Sequence, residues 1–292
     1  MNGILLVDKP SGWTSNDVVQ KLRGLLHERR IGHAGTLDPM ATGLLTVFVG
    51  RATRAVEFAE ADAKRYRAAL RLGLTTDTQD ITGTILRQED ADVTREALER
   101  ALKGFCGEIR QVPPMYSAVK VNGERLYKLA RRGETVERAA RTVTIHGLDL
   151  LEREGEDWIL DIRCSKGTYI RTLCQDIGDA LGCGGCMAAL RRLEAGAFTV
   201  EEAHPLEEIA QAASEGRAET LLLPTDTLFR GVPAKTVGAA AEKKIRNGNA
   251  FRTTLPDGPL CLYSATGEFL ALARAENGEC RTIKSFFEVG TT

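Results

Sequence analysis

The sequence predicts an α+β protein in two parts, a large mixed domain over residues 1–230 and a small β-rich one over residues 231–292. Three observations lead there. The 292-residue chain exceeds the usual single-domain size. Over the first 230 residues, helical repeats interleave with period-two strands. After Gly231-Val232-Pro233 the pattern changes to short strands around Gly248, Gly258, Gly267 and Gly278.

In chain order, Ile4 to Val7 is an apolar strand that enters the turn Asp8-Lys9-Pro10-Ser11-Gly12. A helix follows, with Ser15 as the expected N-cap and Val18, Val19, Leu22, Leu25 and Leu26 at helical spacing. Leu44 to Val49 reads as a buried strand and Thr53 to Ala61 as a second helix. From Arg65 to Leu72 the residues alternate, placing Tyr66, Ala68, Leu70 and Leu72 on one face and Arg65, Arg67 and Arg71 on the other. Thr75 to Gly83 is a polar, turn-rich stretch, and Thr94 caps a helix that stops near Gly104. Two prolines at Pro113 and Pro114 then break regular structure. Beyond them Lys120, Arg125, Lys128, Arg131, Arg132, Arg138 and Arg141 interleave with Tyr116 and Tyr127, a pattern that fits an ordinary solvated helix face and equally a flap that tracks a phosphate backbone and stacks on bases. Leu160 to Cys164 is a strand turned by Ser165-Lys166-Gly167-Thr168 into a helix with Arg171 in its first turn. A cation there opposes the helix dipole, so Arg171 calls for an anionic partner. Leu190-Arg191-Arg192-Leu193 and Gly196 to Val200 read as a further turn and strand.

One stretch is built to present a carboxylate, Gly32-His33-Ala34-Gly35-Thr36-Leu37-Asp38-Pro39-Met40-Ala41-Thr42-Gly43. Three glycines allow backbone angles that a Cβ forbids, and Pro39 turns Asp38 away from helix toward extended backbone. Taken alone, an Asp-Pro turn beside glycines is also an ordinary self-capping turn. The 39 basic and 40 acidic residues balance, so any binding of nucleic acid must use local charge. No apolar run reaches a membrane span, the N-terminal one is too short for a signal peptide, and seven cysteines fit reduced thiols, which together point to the cytoplasm. Cys183 and Cys186 form the single CxxC, and without a second Cys or His pair it is read as two small core residues rather than a metal site.

With these residues in hand, the chain resembles the bacterial tRNA pseudouridine synthase B family, which isomerises uridine 55 in the T loop of tRNA. The resemblance lies in Asp8 to Gly12, Gly32 to Gly43, Lys64-Arg65-Tyr66, Pro113 to Lys120 with Gly123 and Tyr127, Gly167 to Leu173, and Leu190-Arg191-Arg192, all in collinear order. It implies a mixed catalytic domain around a central antiparallel sheet, an RNA-gripping insertion at about 115–145, and a C-terminal RNA-binding domain of the PUA type. By residue match it implies that Asp38 is the catalytic aspartate, that Tyr66 stacks on the target base, and that Arg171 pairs with Asp38. His33, Tyr169 and Leu190 match positions that shape the pocket or hold flipped nucleotides. Arg54 stands where the family commonly has Lys, keeping the charge with another geometry. Cys186 stands where a histidine is common.

The chemistry this implies breaks the N1–C1′ bond of a uridine, turns the base and rejoins it through C5, with no net gain of atoms or electrons. It calls for one carboxylate and for no cofactor or metal, and the chain carries no P-loop and no dinucleotide fingerprint. The resemblance implies tRNA as the substrate, and nothing in the sequence asks for a partner chain, so a monomer is expected. Two other classes compete. A non-catalytic RNA-binding or RNA-folding protein has no use for a presented Asp38 with an arginine partner. A metal-dependent hydrolase recruiting His33 and Asp38 lacks ligand spacing among its four histidines.

Overall fold

The computed structural model describes residues 1–59, 63–121 and 123–287. In chain order the elements are β1 (Gly3–Lys9), α1 (Ser15–Leu26), β2 (Ile31–Ala34), β3 (Thr42–Val49), α2 (Val56–Ala59), β4 (Lys64–Leu72), β5 (Leu74–Thr76), β6 (Ile85–Gln88), α3 (Arg95–Lys103) and β7 (Gly107–Gln111). Then come β8 (Lys120–Val121), β9 (Glu124–Arg125), α4 (Leu126–Arg131), β10 (Arg141–Glu154), β11 (Asp157–Cys164), α5 (Ile170–Ala180), β12 (Gly185–Ala195), β13 (Phe198–Thr199), β14 (His204–Pro205) and α6 (Leu206–Ser214). The last are β15 (Ala234–Thr236), α7 (Ala239–Arg246), β16 (Phe251–Arg252), β17 (Gly258–Tyr263), β18 (Phe269–Glu276) and β19 (Glu279–Ser285).

The chain packs as two compact units. One comprises Met1–Pro39, Leu45–Ala61 and Glu202–Thr292, and the other Met40–Leu44 and Asp62–Glu201.

In the first unit, β1 lies between β14 and β3, and β2 pairs with β3. Helix α1 closes the core: Val18, Val19, Leu22 and Leu26 are buried with Leu5, Val7, Leu45 and Val47. Each such side chain contributes about 1.5–3 kcal/mol. The cap of α1 differs from expectation. Thr14 Oγ1 accepts from Asp17 N at 3.0 Å while Asp17 Oδ2 accepts from Thr14 N at 2.9 Å, a capping box one residue earlier than Ser15. The second expected helix begins as a 3₁₀ turn over Gly50–Ala55 before α2, and its end at 60–61 lies outside the described residues. The C-terminal strands form a five-stranded sheet in the order β15-β17-β18-β19-β16, with hairpins at Gly267 and Gly278. Its apolar core includes Val237, Leu260, Leu262, Leu270 and Phe287, with Ile245 of α7.

In the second unit the sheet order is β3-β12-β4-β11-β10-β7, antiparallel throughout except where β12 meets the start of β3 in parallel. The predicted alternation of β4 holds, with Tyr66, Ala68, Leu70 and Leu72 all buried. Thr94 caps α3, and Leu98 and Leu102 are buried beneath it. The stretch around Leu190-Arg191-Arg192 is not a turn. It lies within β12, beside β4, with Arg192 opposite Tyr66. Arg192 is 1% exposed and its Nε donates to Leu44 O at 2.7 Å, so a residue type that normally marks a surface fills the sheet's inner face.

Candidate active site

His33, Asp38 and Arg54 belong to the first unit, and Tyr66, Tyr169, Arg171 and Leu190 to the second.

In the first unit the residues on both sides of Asp38 are pinned. Ser15 Oγ accepts from Leu37 N at 2.9 Å and donates to Leu37 O at 3.2 Å. Pro39 O accepts from Gly12 N at 2.8 Å and from Lys9 Nζ at 3.2 Å. Lys9 is fully buried and also donates to Pro10 O at 2.9 Å and Trp13 O at 2.6 Å. A buried ammonium is tolerated only with such partners, and here it ties the Asp8–Gly12 turn to the Asp38 loop. Asp38, half-buried between two anchored neighbours, is therefore held by the main chain rather than by the chance of a flexible turn. Of the three glycines, Gly35 (φ 66°) and Gly43 (φ 95°) have left-handed angles and Gly32 does not. His33 is half-buried on β2 opposite Val47, and Arg54 is exposed on the 3₁₀ turn.

In the second unit Tyr66 lies on β4 at 8% exposure, and Leu190 faces Ala68 from β12. The β12 main chain passes close to Gly43, where a Cβ would stand 2.3 Å from Arg192 O, so only glycine fits. Arg171 is buried in the first turn of α5. Its Nη1 donates to Thr78 O at 2.9 Å and its Nη2 to Tyr116 O at 2.8 Å. Nη1 also lies 3.8 Å from Asp80 Oδ2. These two carbonyls and a carboxylate offset the unfavourable end of the helix dipole.

The stretch that the sequence showed only as polar and turn-rich is the seat of Arg171. Asp80, 5% exposed, accepts at Oδ1 from Thr78 Oγ1 at 2.9 Å, Thr82 N at 3.0 Å and Thr82 Oγ1 at 2.6 Å. Thr76 Oγ1 donates to Asp80 O, and Thr172 Oγ1, next to Arg171, donates to Gln79 Oε1 at 2.8 Å. Met187 N to Gln79 O and Ile81 N to Met187 O then fasten the loop to β12. Lys9, Ser15 and Asp80 are the residues that sequence reasoning missed. The available signal was an unusual density of hydroxyls and carboxylates in Thr75-Thr76-Asp77-Thr78-Gln79-Asp80, and a lysine ending an apolar strand.

Tyr169 precedes α5 and is gripped by Gln111 and Arg141. Cys186 is fully buried opposite Arg71, and burial pushes its thiol up to about 11, so at neutral pH it is a neutral core side chain. Among the described residues no group of three or more His, Cys, Asp or Glu is placed to hold a metal, and no helix is long and apolar enough to cross a membrane.

A large mixed sheet with a five-stranded C-terminal β sheet is a mixed α+β fold like that found in a Cbf5-containing complex. One chain of a crystal structure of a Cbf5-Nop10-Gar1 complex superposes with a TM-score of 0.75 at 26% identity, covering 98% of this chain and 85% of that one. Residues 23–170 match the TruB family pseudouridylate synthase (N terminal domain), and residues 171–230 match the tRNA pseudouridylate synthase B C-terminal domain. The chain is 46% identical over 249 residues to tRNA pseudouridine synthase B of Alkaliphilus oremlandii, covering 85% of this chain and 82% of that protein. It is 44% identical over 282 residues to the protein of the same name from Azoarcus, covering 96% and 93%. The chain belongs to the TruB family of tRNA pseudouridine synthases and is an isomerase.

Proposed function

We propose that the protein converts uridine 55 in the T loop of tRNA to pseudouridine, with Asp38 as the catalytic carboxylate. The observation that carries this reading is the double pinning of Leu37 and Pro39, which fixes the main chain on either side of Asp38. A protein that only binds RNA has no need of a carboxylate held in this way.

The uridine is flipped out of the T loop at a cost of about a few kcal/mol. Stacking on the Tyr66 ring offsets about 1–3 kcal/mol of that cost. Asp38 attacks the base or the sugar, or balances the cationic sugar, as the N1–C1′ bond breaks. The base turns, C5 bonds to C1′, the C5 proton leaves and N1 gains one, so that the product has the mass of the substrate. Arg171, paired with Asp38, keeps the carboxylate ionised and aimed. His33, Tyr169 and Leu190 shape the pocket, and Arg54 supplies a cation to the RNA. No step calls for a redox cofactor or a metal. The segment 112–140, with α4 and its cations, grips the tRNA together with residues 231–292, which act as a PUA-like domain beside a catalytic domain of residues 1–230. The protein works as a monomer in the cytoplasm.

The test is incubation of the purified protein with an unmodified tRNA transcript in the presence of EDTA. The reading requires a product of unchanged mass that carbodiimide labels at position 55. An unlabelled tRNA that is nonetheless bound favours the RNA-binding alternative.

A further inference from the structure

Residues 112–140 leave the sheet and return to it at two feet. Gln111 is the last residue of β7 and Arg141 the first of β10, and the two are direct cross-strand partners. Both feet hold the turn that leads into α5. Gln111 is fully buried, and its amide is committed to one residue: Nε2 donates to Tyr169 O at 3.2 Å and Oε1 accepts from Tyr169 N at 3.1 Å. This side chain imitates a rung of a β ladder. Arg141 Nη2 donates to Gly167 O at 2.5 Å, and its guanidinium carbon lies 4.5 Å from the centroid of the Tyr169 ring.

The start of α5 lacks its ordinary supports. Tyr169 at the N-cap makes no side-chain cap hydrogen bond, and no acidic residue stands in the first turn. The conformation of Tyr169, and of Arg171 two residues on, therefore depends on groups outside the helix, and the two feet supply them. A third tie joins the same places, since Arg171 Nη2 donates to the carbonyl of Tyr116, which lies just beyond the first foot. A simple packing role would be met by apolar side chains, whereas these contacts fix direction: the main chain of Tyr169 by two hydrogen bonds and its ring by a cation over one face.

We propose that Gln111 and Arg141 are positioning residues for the isomerisation, holding Tyr169 and the first turn of α5 in their working geometry and linking the segment 112–140 to them. This rests on the assignment of Tyr169 and Arg171 to the reaction given above. RNA that draws on the segment pulls on its feet, and the feet act on Tyr169.

The experiment uses the full-length protein with Arg141→Met, Arg141→Lys and Tyr169→Ala, and the double variant Arg141→Met with Tyr169→Ala. Single-turnover conversion of an unmodified tRNA transcript is measured with enzyme in excess, alongside tRNA Kd by filter binding and Tm. Arg141→Met is expected to slow saturated conversion at least tenfold while Kd stays within threefold and Tm changes little. Arg141→Lys, which keeps a cation and a donor, recovers part of the rate. In the Tyr169→Ala background Arg141→Met costs less than twofold, because the ring on which it acts has gone. Gln111→Leu, if it folds, reproduces the loss of rate without the loss of affinity. A saturated rate within twofold of wild type overturns the proposal. So does a loss confined to Kd, which makes Arg141 a phosphate contact, and so does an undiminished tenfold effect without the Tyr169 ring. A wild type that converts no uridine overturns the underlying reading, and it is seen before any substitution is compared.

Discussion

Arg171 Nη1 lies 3.8 Å from the carboxylate of Asp80, with both side chains more than nine-tenths buried, and the same guanidinium holds the carbonyls of Thr78 and Tyr116. From sequence, Arg171→Lys is expected to spare stability, because the charge is kept. The geometry changes that expectation. A lysine has no planar fork with which to span two carbonyls on separate loops, so at least one is left unpaired at about 1–3 kcal/mol. Arg171→Lys should lower Tm by several degrees as well as reducing single-turnover conversion by at least a hundredfold, with a much smaller change in tRNA affinity. Full activity in a folded fraction would make the arginine structural only.

Lys9→Met tests the pinning of the Asp38 loop. The methionine fills the same length but removes the Lys9 ammonium from the Pro10 and Trp13 carbonyls and one of two donors from the Pro39 carbonyl. Hydrogen bonds to a charged group contribute about 1.5–3 kcal/mol, so Tm should fall by several degrees. Conversion by the protein that remains folded should fall at least tenfold, because the Pro39 side of Asp38 is then held by Gly12 N alone. A rate unchanged from wild type would show that the pin serves the fold alone.

The cations of segment 112–140 are not equivalent. Arg132 is bound by Glu124 and by Glu134, each at 2.6 Å, whereas Arg131 packs its guanidinium over Tyr127 at 5.5 Å and pairs with no carboxylate among the described residues. Arg131→Ala should flatten the slope of log affinity against log salt by about 0.7–0.9, one phosphate contact. Arg132→Ala should change it by much less, since its charge is already balanced. Equal slopes for both variants and wild type would remove this segment from the RNA surface.

Asp176 on α5 is pushed up to about 6, mainly by burial and secondarily by Asp179. Its ordinary value is 3.8. The folded protein therefore binds this proton more tightly than the unfolded chain does, and wild type loses stability as pH rises from about 4 to about 6. Asp176→Asn carries no ionisation penalty. Its Tm should exceed that of wild type at pH 7.5, and the gap should shrink toward pH 4.5. A gap of the same size at both pH values would contradict the assignment.

Much of this architecture was legible in the sequence where polarity and burial agree. The alternation of β4, the Thr94 cap of α3 and the apolar repeat of α1 each follow from one residue type per face. Legibility ended where polar residues do core work. Leu190-Arg191-Arg192-Leu193 suggested a turn, yet Arg192 is buried within β12, where its Nε donates to a main-chain carbonyl of β3. Ser15 resembles a helix cap, but tertiary structure gives that role to Thr14 and turns Ser15 toward Leu37. The value of Asp80 depends on threonines two residues either side and on a distant Arg171, which no local pattern encodes.

In the proposed reaction Asp38 carries out the chemistry. Asp38→Asn is nearly isosteric, and the Ser15, Gly12 and Lys9 contacts to its neighbours do not involve the carboxylate. The loop should persist and tRNA should still bind. Loss of a general acid or base often slows a reaction by only about 10²–10⁴-fold, and loss of a covalent nucleophile should leave less. The decisive measurement is single-turnover conversion with Asp38→Asn in excess over an unmodified tRNA transcript, so that product release does not limit the rate. Asp38→Asn should bind tRNA and form no detectable pseudouridine, whereas conversion within tenfold of wild type would mean that another residue does the chemistry.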